Sequence, residues 1–600
     1  MLSYTPQIND ALIQEPSQDG WLLFRSPIQV FAAYEVKDVI PVLQSVDRSL
    51  QRPGTFAAGY VAYEAAPGLD PALKTKALHS FPLVWFGLYR RPAILPSMPE
   101  PLPAGSQLSS FQWLATVRRQ DYDLAIEKVK KYIALGDTYQ VNYTYRLLSR
   151  FQGDLYAAFV DLARAQRAKY TAFIHTERFT LCSASPELFF SLDRDLLTSK
   201  PMKGTAARGR TLQEDLEQAA WLRRSAKDQA ENVMIVDMVR NDIGKIASTG
   251  SVRVPELFTV EKYPTVWQMI SAVKGETKAG LCEIFQALFP PASITGAPKA
   301  RTMEIIMELE NSPRRIYTGC IGYAGPDRKA QFNVSIRTML VDRHEMRAEY
   351  GIGGGITWGS IDSAEFEESR AKAKILTVRM PRFSLLESLL WEPGNGYFLL
   401  DLHLARLRAS AEYFSYKVDI PTIRRYLTGL AGSFGAQSQK VRLLVDEQGQ
   451  VTSEAEPVNP SEAKKLLRVC VAATPVDSSN PFLFHKTTHR QVYEQARLSC
   501  PEEPGQPWDD VILWNEEGEV TEASMANIVV EQEGELYTPP VNCGLLAGTY
   551  RAWLLEQGKI REKIIRLEEL FDGSRVCLIN SVRKQREIQV ITPETLRIRG

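Results

Sequence analysis

Across residues 378–384, "VRMPRFS", an alternation of strand-like and helix-like segments stops and then restarts. Proline cannot continue a helix and pushes the residue before it towards extended backbone. A chain of 600 residues also exceeds what one hydrophobic core commonly supports. The break therefore predicts two units, 1–380 and 381–600, each α/β or α+β. Inside the first unit the proline-rich run 92–105, "PAILPSMPEPLPAG", is expected to be an extended connector. It separates an N-terminal part, about 1–105, from a core of about 115–380.

Periodicity supplies the elements. "GTFAAGYVAYEAA" and "TYQVNYTYRLLSRF" read as strands. Between them, Leu124, Ile126, Val129, Tyr132 and Ile133 fall near helical spacing, with Gly136 as a stop. A long helical segment runs from Leu216 to Gly244, strands return at "QFNVSIRTMLV", and "SAEFEESRAKAKILTVRM" is helical. Past the break, "LLESLLW", "GYFLLDLHLARLRASAEYF" and "KVRLLVDEQGQ" resume the alternation.

Lysine plus arginine equal aspartate plus glutamate at 71 each, which argues against an electrostatically driven nucleic-acid or anionic-membrane binder. Seven cysteines without a C-x-x-C pair fit reduced thiols better than a disulfide framework. No apolar run approaches 18 residues and no basic–apolar leader opens the sequence, so a cytoplasmic protein is expected.

Several stretches carry chemistry. In "SKPMKGTAARG", Lys203 stands between two turn-formers, Pro201 and Gly204. Taken alone, such a lysine is usually a solvated charge; held at a reaction centre, its free amine is a nucleophile. Glu187 follows a proline in "SPELFF". Glu365 and Glu368 share one helix face, with Lys372 a turn further on. "GIGGGI" lets backbone amides approach an anion, although it is no P-loop. Singly, each has an ordinary structural explanation.

Their succession is more specific. "GDTYQVNYTYR", "SPELF", "PMKGTAARGR", "AENVMIVDMVRNDIG", "SITGAPKARTMEII", "GCIGY", "SIRTM", "GGGI" and "AEFEES" occur in one order that resembles the chorismate-using enzymes, which include the anthranilate, isochorismate, salicylate and aminodeoxychorismate synthases. The resemblance implies a two-layered α/β sandwich and a Mg²⁺-dependent reaction. Carried over by position, it makes Glu231 and Glu368 metal ligands with Glu365 close by, and Glu187 the general acid/base. It assigns Gly204, Thr205, Tyr323, Arg337, Gly353, Gly354, Gly355 and Lys372 to chorismate binding. Carboxylates suit Mg²⁺, and arginine, lysine and free amides suit a dianionic substrate. Anthranilate synthases carry a small residue where Lys203 stands, whereas aminodeoxychorismate synthases have P-I-K-G-T against P-M-K-G-T here. Lys203 is thereby implied to attack C2 and direct nitrogen to C4. Gln268 replaces a histidine frequent in the family, and glutamine cannot shuttle a proton at neutral pH. No G-x-C-x-G motif is present, so ammonia is expected from a separate glutamine amidotransferase subunit or from solution.

In the second unit "FLFHKTTHR", "GEVTEASMANIVV", "GLLAGTYR", "INSVRK" and "HLARLRASAEYF" together resemble fold-type IV pyridoxal-phosphate enzymes, the group of D-amino-acid and branched-chain aminotransferases and aminodeoxychorismate lyase. The resemblance makes Lys486 the lysine that binds pyridoxal 5′-phosphate covalently, and Glu522 the partner of its ring nitrogen. Arg406 and the turn from Leu546 to Thr549 are implied to hold the phosphate, with Asn580 and Ser581 contributing. The hairpin near "FSLLESLL" is expected to be abbreviated, and a homodimer through this unit is the expected assembly. Jointly these resemblances imply C4 amination of chorismate followed by elimination of pyruvate to 4-aminobenzoate for folate synthesis. The alternatives are an aminotransferase-type or non-catalytic dimerisation tail, or C2 amination.

Overall fold

A computed structural model of the chain describes residues 3–16, 20–78, 80–102, 111–373, 376, 381–458, 466–500 and 507–591. The chain divides into two compact units, one of Met1–Ala207 with Ala219–Met380 and one of Arg208–Gln218 with Pro381–Gly600. Residues 378–380 of the break at 378–384 lie outside the described residues, as do residues 103–105 of the proline-rich run.

The first unit is built on two ten-stranded sheets. Strand alternation turns one face of each sheet inward. Ala11, Ile13, Ala172, Ile174 and Leu181 of one sheet share a core with Tyr60, Phe86, Phe190 and Phe332 of the other. The intervening Leu12 and Phe173 face the opposite way, into a second core with Tyr122, Ile126 and Phe159 from flanking helices. The strand reading of "TYQVNYTYRLLSRF" corresponds to Gln140–Arg150, and the helix before it to Arg119–Ala134 with Gly136 at φ 80° beyond its end.

Three local readings change. Within the proline-rich run, Ala93–Leu95 and Glu100–Pro101 are short strands, pairing with Gly20–Phe24 and Ser3–Tyr4. Each lies at the end of its sheet, where a proline without an N–H is tolerated. The long helical segment is two helices, Leu212–Arg224 and Ala226–Gly244. Ser225 breaks it with extended backbone and caps the second helix by accepting the Asp228 amide. "SKPMKGTAARG" is an edge strand, Met202–Ala207, instead of a turn.

The second unit contains a four-stranded antiparallel sheet, in which Leu385–Glu392 pairs with the two-residue strand Gly396–Tyr397 and with Gln439–Val445. Helices Leu400–Phe414 and Ile420–Ala431 pack on it. An eight-stranded mixed sheet follows, carrying Val520–Ala523, Ala526–Gln532 and Arg575–Asn580. All seven cysteines are buried thiols. Among the described residues no helix is long and apolar enough to cross a membrane.

Asp154 caps the helix Leu155–Gln166 by accepting the amides of Tyr156 and Ala157. Asp154→Ala is expected to lower stability by about 1 kcal/mol, read as an earlier denaturant midpoint, and Asp154→Ser to restore most of it.

Candidate active sites

A cavity of about 580 Å³ opens in the first unit, lined from both sheets and from the helices Ala226–Gly244 and Asp362–Ala373. Lys203 reaches it through an irregularity in pairing. Met202 lies opposite Ile270 but Thr205 opposite Gln268, so the edge strand carries one extra residue. Such a bulge re-aims a side chain. Gly204, at φ 104°, supplies the backbone conformation that the bulge demands.

Lys203 Nζ lies 3.3 Å from Glu231 Oε2, and both side chains are largely buried. Across the cavity runs Arg347–Ile356, where Gly355 pairs with Asn142 of the strand Gln140–Arg150. A Cβ on Gly355 would fall 2.5 Å from Lys203 Nζ, so the glycine makes room for the amine.

Glu187 stands where the chain passes from one sheet to the other, between strands Phe179–Ser185 and Leu188–Asp193. It is 4% exposed. Burial pushes its carboxyl up to about 7, against smaller opposing contributions from Ser293, the Met202 amide and Lys203.

On the helix Asp362–Ala373, Lys372 Nζ pairs with Glu368 at 2.8 Å and donates to Gly353 O at 3.0 Å. Lys372 lowers the Glu368 pKa despite partial burial, while burial and the neighbouring Glu368 raise that of Glu365. Arg337 sits at φ 51° in the turn before Thr338–Asp342 and donates to Lys372 O at 3.0 Å. Thr205 and Gln268 hydrogen-bond to each other on adjacent strands.

Eleven sequence-derived positions of this unit thus line one cavity: Glu187, Lys203, Gly204, Thr205, Glu231, Arg337, Gly353, Gly354, Gly355, Glu365 and Lys372, with Glu368 as a twelfth. Tyr323 is the exception. Its strand, Cys320–Gly325, turns the ring into the inter-sheet core, and its hydroxyl donates to the buried Glu15. Tyr317, Asn142 and Ser293 line the cavity without having been singled out in the sequence. No sequence signal sets them apart: Asn142 shares its strand with Gln140, Thr144, Arg146 and Ser149, which are buried polar residues as well. Among the described residues no three histidine, cysteine, aspartate or glutamate side chains form a ready metal cluster. Glu231 and the pair Glu365 and Glu368 nevertheless face one cavity, which suits a cation that takes few protein ligands and completes its shell from water and substrate.

In the second unit Lys486 is held at the edge of the four-stranded sheet: Leu386 N–H donates to Lys486 O, and Thr487 bridges Leu385. Its ammonium makes no hydrogen bond or ion pair among the described residues. Burial, reinforced by Arg406 and Arg490, lowers its pKa to about 8 against the pull of Glu387 and Glu522. Glu522, 4% exposed, is raised to about 7 by burial. Tyr493 O–H donates to its Oε1 at 2.8 Å and Leu546 N–H to the same oxygen at 3.2 Å.

Glu387, in "LLESLLW", accepts from Arg406 through Nε and Nη2 at 2.9 and 2.6 Å, and faces His403 Nδ1 at 2.7 Å. Burial alone would raise it, but Arg406 and His403 hold it at about 2. A carboxylate on Nδ1 fixes the proton there, so His403 Nε2 accepts from Thr549 Oγ1 at 3.2 Å. Arg406 Nη1 also donates to Ala547 O, within the expected phosphate turn.

Leu546 departs from its sequence-derived role, because its amide serves Glu522. Asn580 and Ser581 are also engaged elsewhere: Asn580 Oδ1 accepts the amides of Val582 and Arg583, and Ser581 Oγ donates to Ser388 O.

Residues 9–378 match the family model of chorismate binding enzymes. The chain belongs to that family. Residues 384–591 match the model of class IV amino-transferases. The chain is 40% identical over 259 residues to aminodeoxychorismate synthase component 1 of Escherichia coli K12, covering 43% of this chain and 57% of that protein. It is 38% identical over 253 residues to an anthranilate synthase component 1 of Haloarcula marismortui, covering 42% and 50%. It thus spans little more than half the length of these curated relatives. A crystal structure of anthranilate synthase component I from Streptococcus pneumoniae TIGR4 shares the fold of the first unit, with a TM-score of 0.53, 23% identity, and coverage of 63% of this chain and 94% of that one.

Glu187's carboxyl is expected to titrate near pH 7 instead of near 4.5. Its folded value lies above its unfolded one, so the stability it contributes is full below about pH 4.5 and is lost as pH rises through about 7. Denaturant midpoints of wild type and Glu187→Gln, compared from pH 5 to 8, should diverge in the variant's favour as pH rises.

Proposed function

We propose that the first unit aminates chorismate at C4 to give 4-amino-4-deoxychorismate, and that the second eliminates pyruvate from that product to give 4-aminobenzoate. The observation that carries this reading is the amine of Lys203 inside the cavity, between Glu231 and the glycine strand. Relatives named for C4 and for C2 chemistry match at nearly equal identity, so overall similarity does not discriminate between them.

Arg337, Lys372 and the amides of Gly353–Gly355 bind the two carboxylates of chorismate. Lys203, as the free amine, attacks C2; the ring double bond shifts and the C4 hydroxyl leaves, taking the proton that Glu187 holds. Ammonia from a separate glutamine amidotransferase, or from solution, then adds at C4 and the lysine departs from C2 with the reverse shift. Glu231 and Glu368, with Glu365 beside them, would hold Mg²⁺, which when bound neutralises carboxylate charge.

In the second unit Lys486, Glu522 and Arg406 would hold pyridoxal phosphate, which when bound supplies an electron sink at the substrate's amine-bearing carbon. The residues fit that group: an unpaired lysine amine, a buried carboxyl, and a guanidinium beside the first turn of the helix Thr549–Glu556, whose leading amides have no partner within the helix. Glu522 keeps a proton on the ring nitrogen. Lys486 removes the C4 proton of the substrate and returns one to the departing enolpyruvyl carbon. The expected location is cytoplasmic and the expected assembly a homodimer through this unit.

Supplied with chorismate, Mg²⁺, pyridoxal phosphate and ammonium, the protein should release 4-aminobenzoate and pyruvate; 2-aminobenzoate would overturn the C4 assignment. Lys486→Ala should accumulate 4-amino-4-deoxychorismate, and undiminished 4-aminobenzoate from that variant would remove the lyase role. Gly355→Ala, which pushes a methyl group against Lys203 Nζ, should lower chorismate consumption by roughly 100-fold while leaving pyridoxal-phosphate absorbance unchanged.

A further inference from the structure

Residues 208–218 fall inside the span matched to chorismate binding enzymes and outside the one matched to class IV amino-transferases. The fold nevertheless makes Arg208–Gln218 part of the second unit. One ion pair and one glycine hold the segment's shape. Arg208 Nε and Nη2 donate to the two oxygens of Asp215 at 2.6 and 2.8 Å, a bidentate pair whose side chains are 9% and 1% exposed. Gly209 N–H donates to the same carboxylate at 3.0 Å. A Cβ on Gly209 would fall 2.2 Å from the Asp215 amide nitrogen, so the turn closes only around glycine.

This turn is fastened to the helix Leu400–Phe414. The Arg208 guanidinium lies 4.5 Å over the Tyr413 ring, and its Nη2 donates to Tyr413 O at 2.9 Å. Tyr413 O–H donates back to Gly209 O at 2.8 Å. Next along the segment, Arg210 O lies 3.2 Å from Nε2 of His485, the residue before Lys486. A carbonyl only accepts, so Nε2 carries the proton, and Nδ1 accepts from Ser410 Oγ at 3.0 Å. The ring is buried, and burial lowers its pKa to about 4, which keeps it neutral. His485 therefore joins three pieces: the segment 208–218, the helix that carries Arg406, and the chain at Lys486. A buried polar group with every hydrogen bond satisfied specifies one arrangement of its neighbours.

We propose that the segment Arg208–Gln218 belongs to the pyridoxal-phosphate site, where Arg210 O and Ser410 clamp the ring of His485 and so set the peptide from which Lys486 projects. The inference rests on the reading of Lys486 as the lysine that binds the cofactor. The backbone on the far side of Lys486 is already held, by Leu386 N–H on Lys486 O and by the bridge of Thr487 to Leu385. With the chain fixed on both sides, the Lys486 amine meets the cofactor with little freedom left to lose on binding. Releasing His485 restores that freedom and weakens binding. Arg208, Tyr413 and His485 act through Lys486 and are positioning residues.

Titration of the full chain with pyridoxal phosphate, followed by the visible absorbance of the lysine-bound cofactor, tests this. His485→Leu removes both ring hydrogen bonds with an apolar side chain, and should raise the Kd about tenfold and shift the absorbance maximum. His485→Gln, whose Nε2 can still donate to Arg210 O, should recover most of the affinity. Tyr413→Phe removes only the hydroxyl on Gly209 O and should raise the Kd about threefold; it decides if His485→Leu does not fold. Lys486→Ala is the reference. If it keeps the wild-type absorbance, the role of Lys486 itself falls. If it loses that absorbance while the folded His485→Leu and Tyr413→Phe variants keep the wild-type Kd and spectrum, the positioning role alone is overturned. Equal losses in His485→Leu and His485→Gln would also overturn the clamp through Arg210 O.

Discussion

Two ten-stranded sheets bury their apolar faces against each other, and that packing governs the rest of the first unit. Charge buried between apolar faces has to be partnered, as Glu15 is by Tyr323, and the candidate catalytic side chains collect in a cavity that helices help to line. Glu187 sits at the point where the chain steps between layers, and Lys203 on an edge strand of one layer. The glycine run belongs to a strand of the other layer. Within the resulting cavity, opposite charges lie near one another: Lys203 by Glu231, and Lys372 by Glu368. Such pairs make the cost of burial bearable, and they present both signs to a dianionic substrate and a cation.

The two chemically singular lysines are presented by different devices. Lys203 is turned inward by one surplus residue in an edge strand. Lys486 is pinned by its backbone to the strand Leu385–Glu392, leaving its side chain unpaired near two carboxylates. One strand turn away, Glu387 gathers Arg406 and His403, and His403 reaches Thr549. A single buried carboxylate therefore orients the guanidinium and the helix start that are suited to a phosphate. "LLESLLW" carries a visible signal for it, a lone glutamate among leucines in a strand, which implies a charge that must be paired inside.

The pattern of elements was largely legible because periodicity reports burial. Where it misled, local chemistry outweighed it. Ser225 interrupts a helical run because its hydroxyl competes for backbone amides. The proline-rich stretch forms edge strands because an edge leaves some N–H positions without need of a partner. Site residues followed the same rule. Motif order brought twelve side chains and backbone positions to one cavity, yet it also named Tyr323. Successive strand residues face opposite ways, and Tyr323 turns into the core to meet Glu15. Leu546 was likewise placed near the right group but with its amide committed to Glu522.

The sequence by itself determined the identities of the chemically capable groups and the order in which they occur. Residue type, spacing and motif order are local properties. Only the tertiary structure decided where those groups point and what surrounds them. The bulge at Lys203, the raised carboxyl of Glu187 and the Glu387 anchor all depend on contacts between segments far apart in the chain. Pairing register, burial and electrostatic neighbours come into being when those segments pack, and no local window of residues contains them.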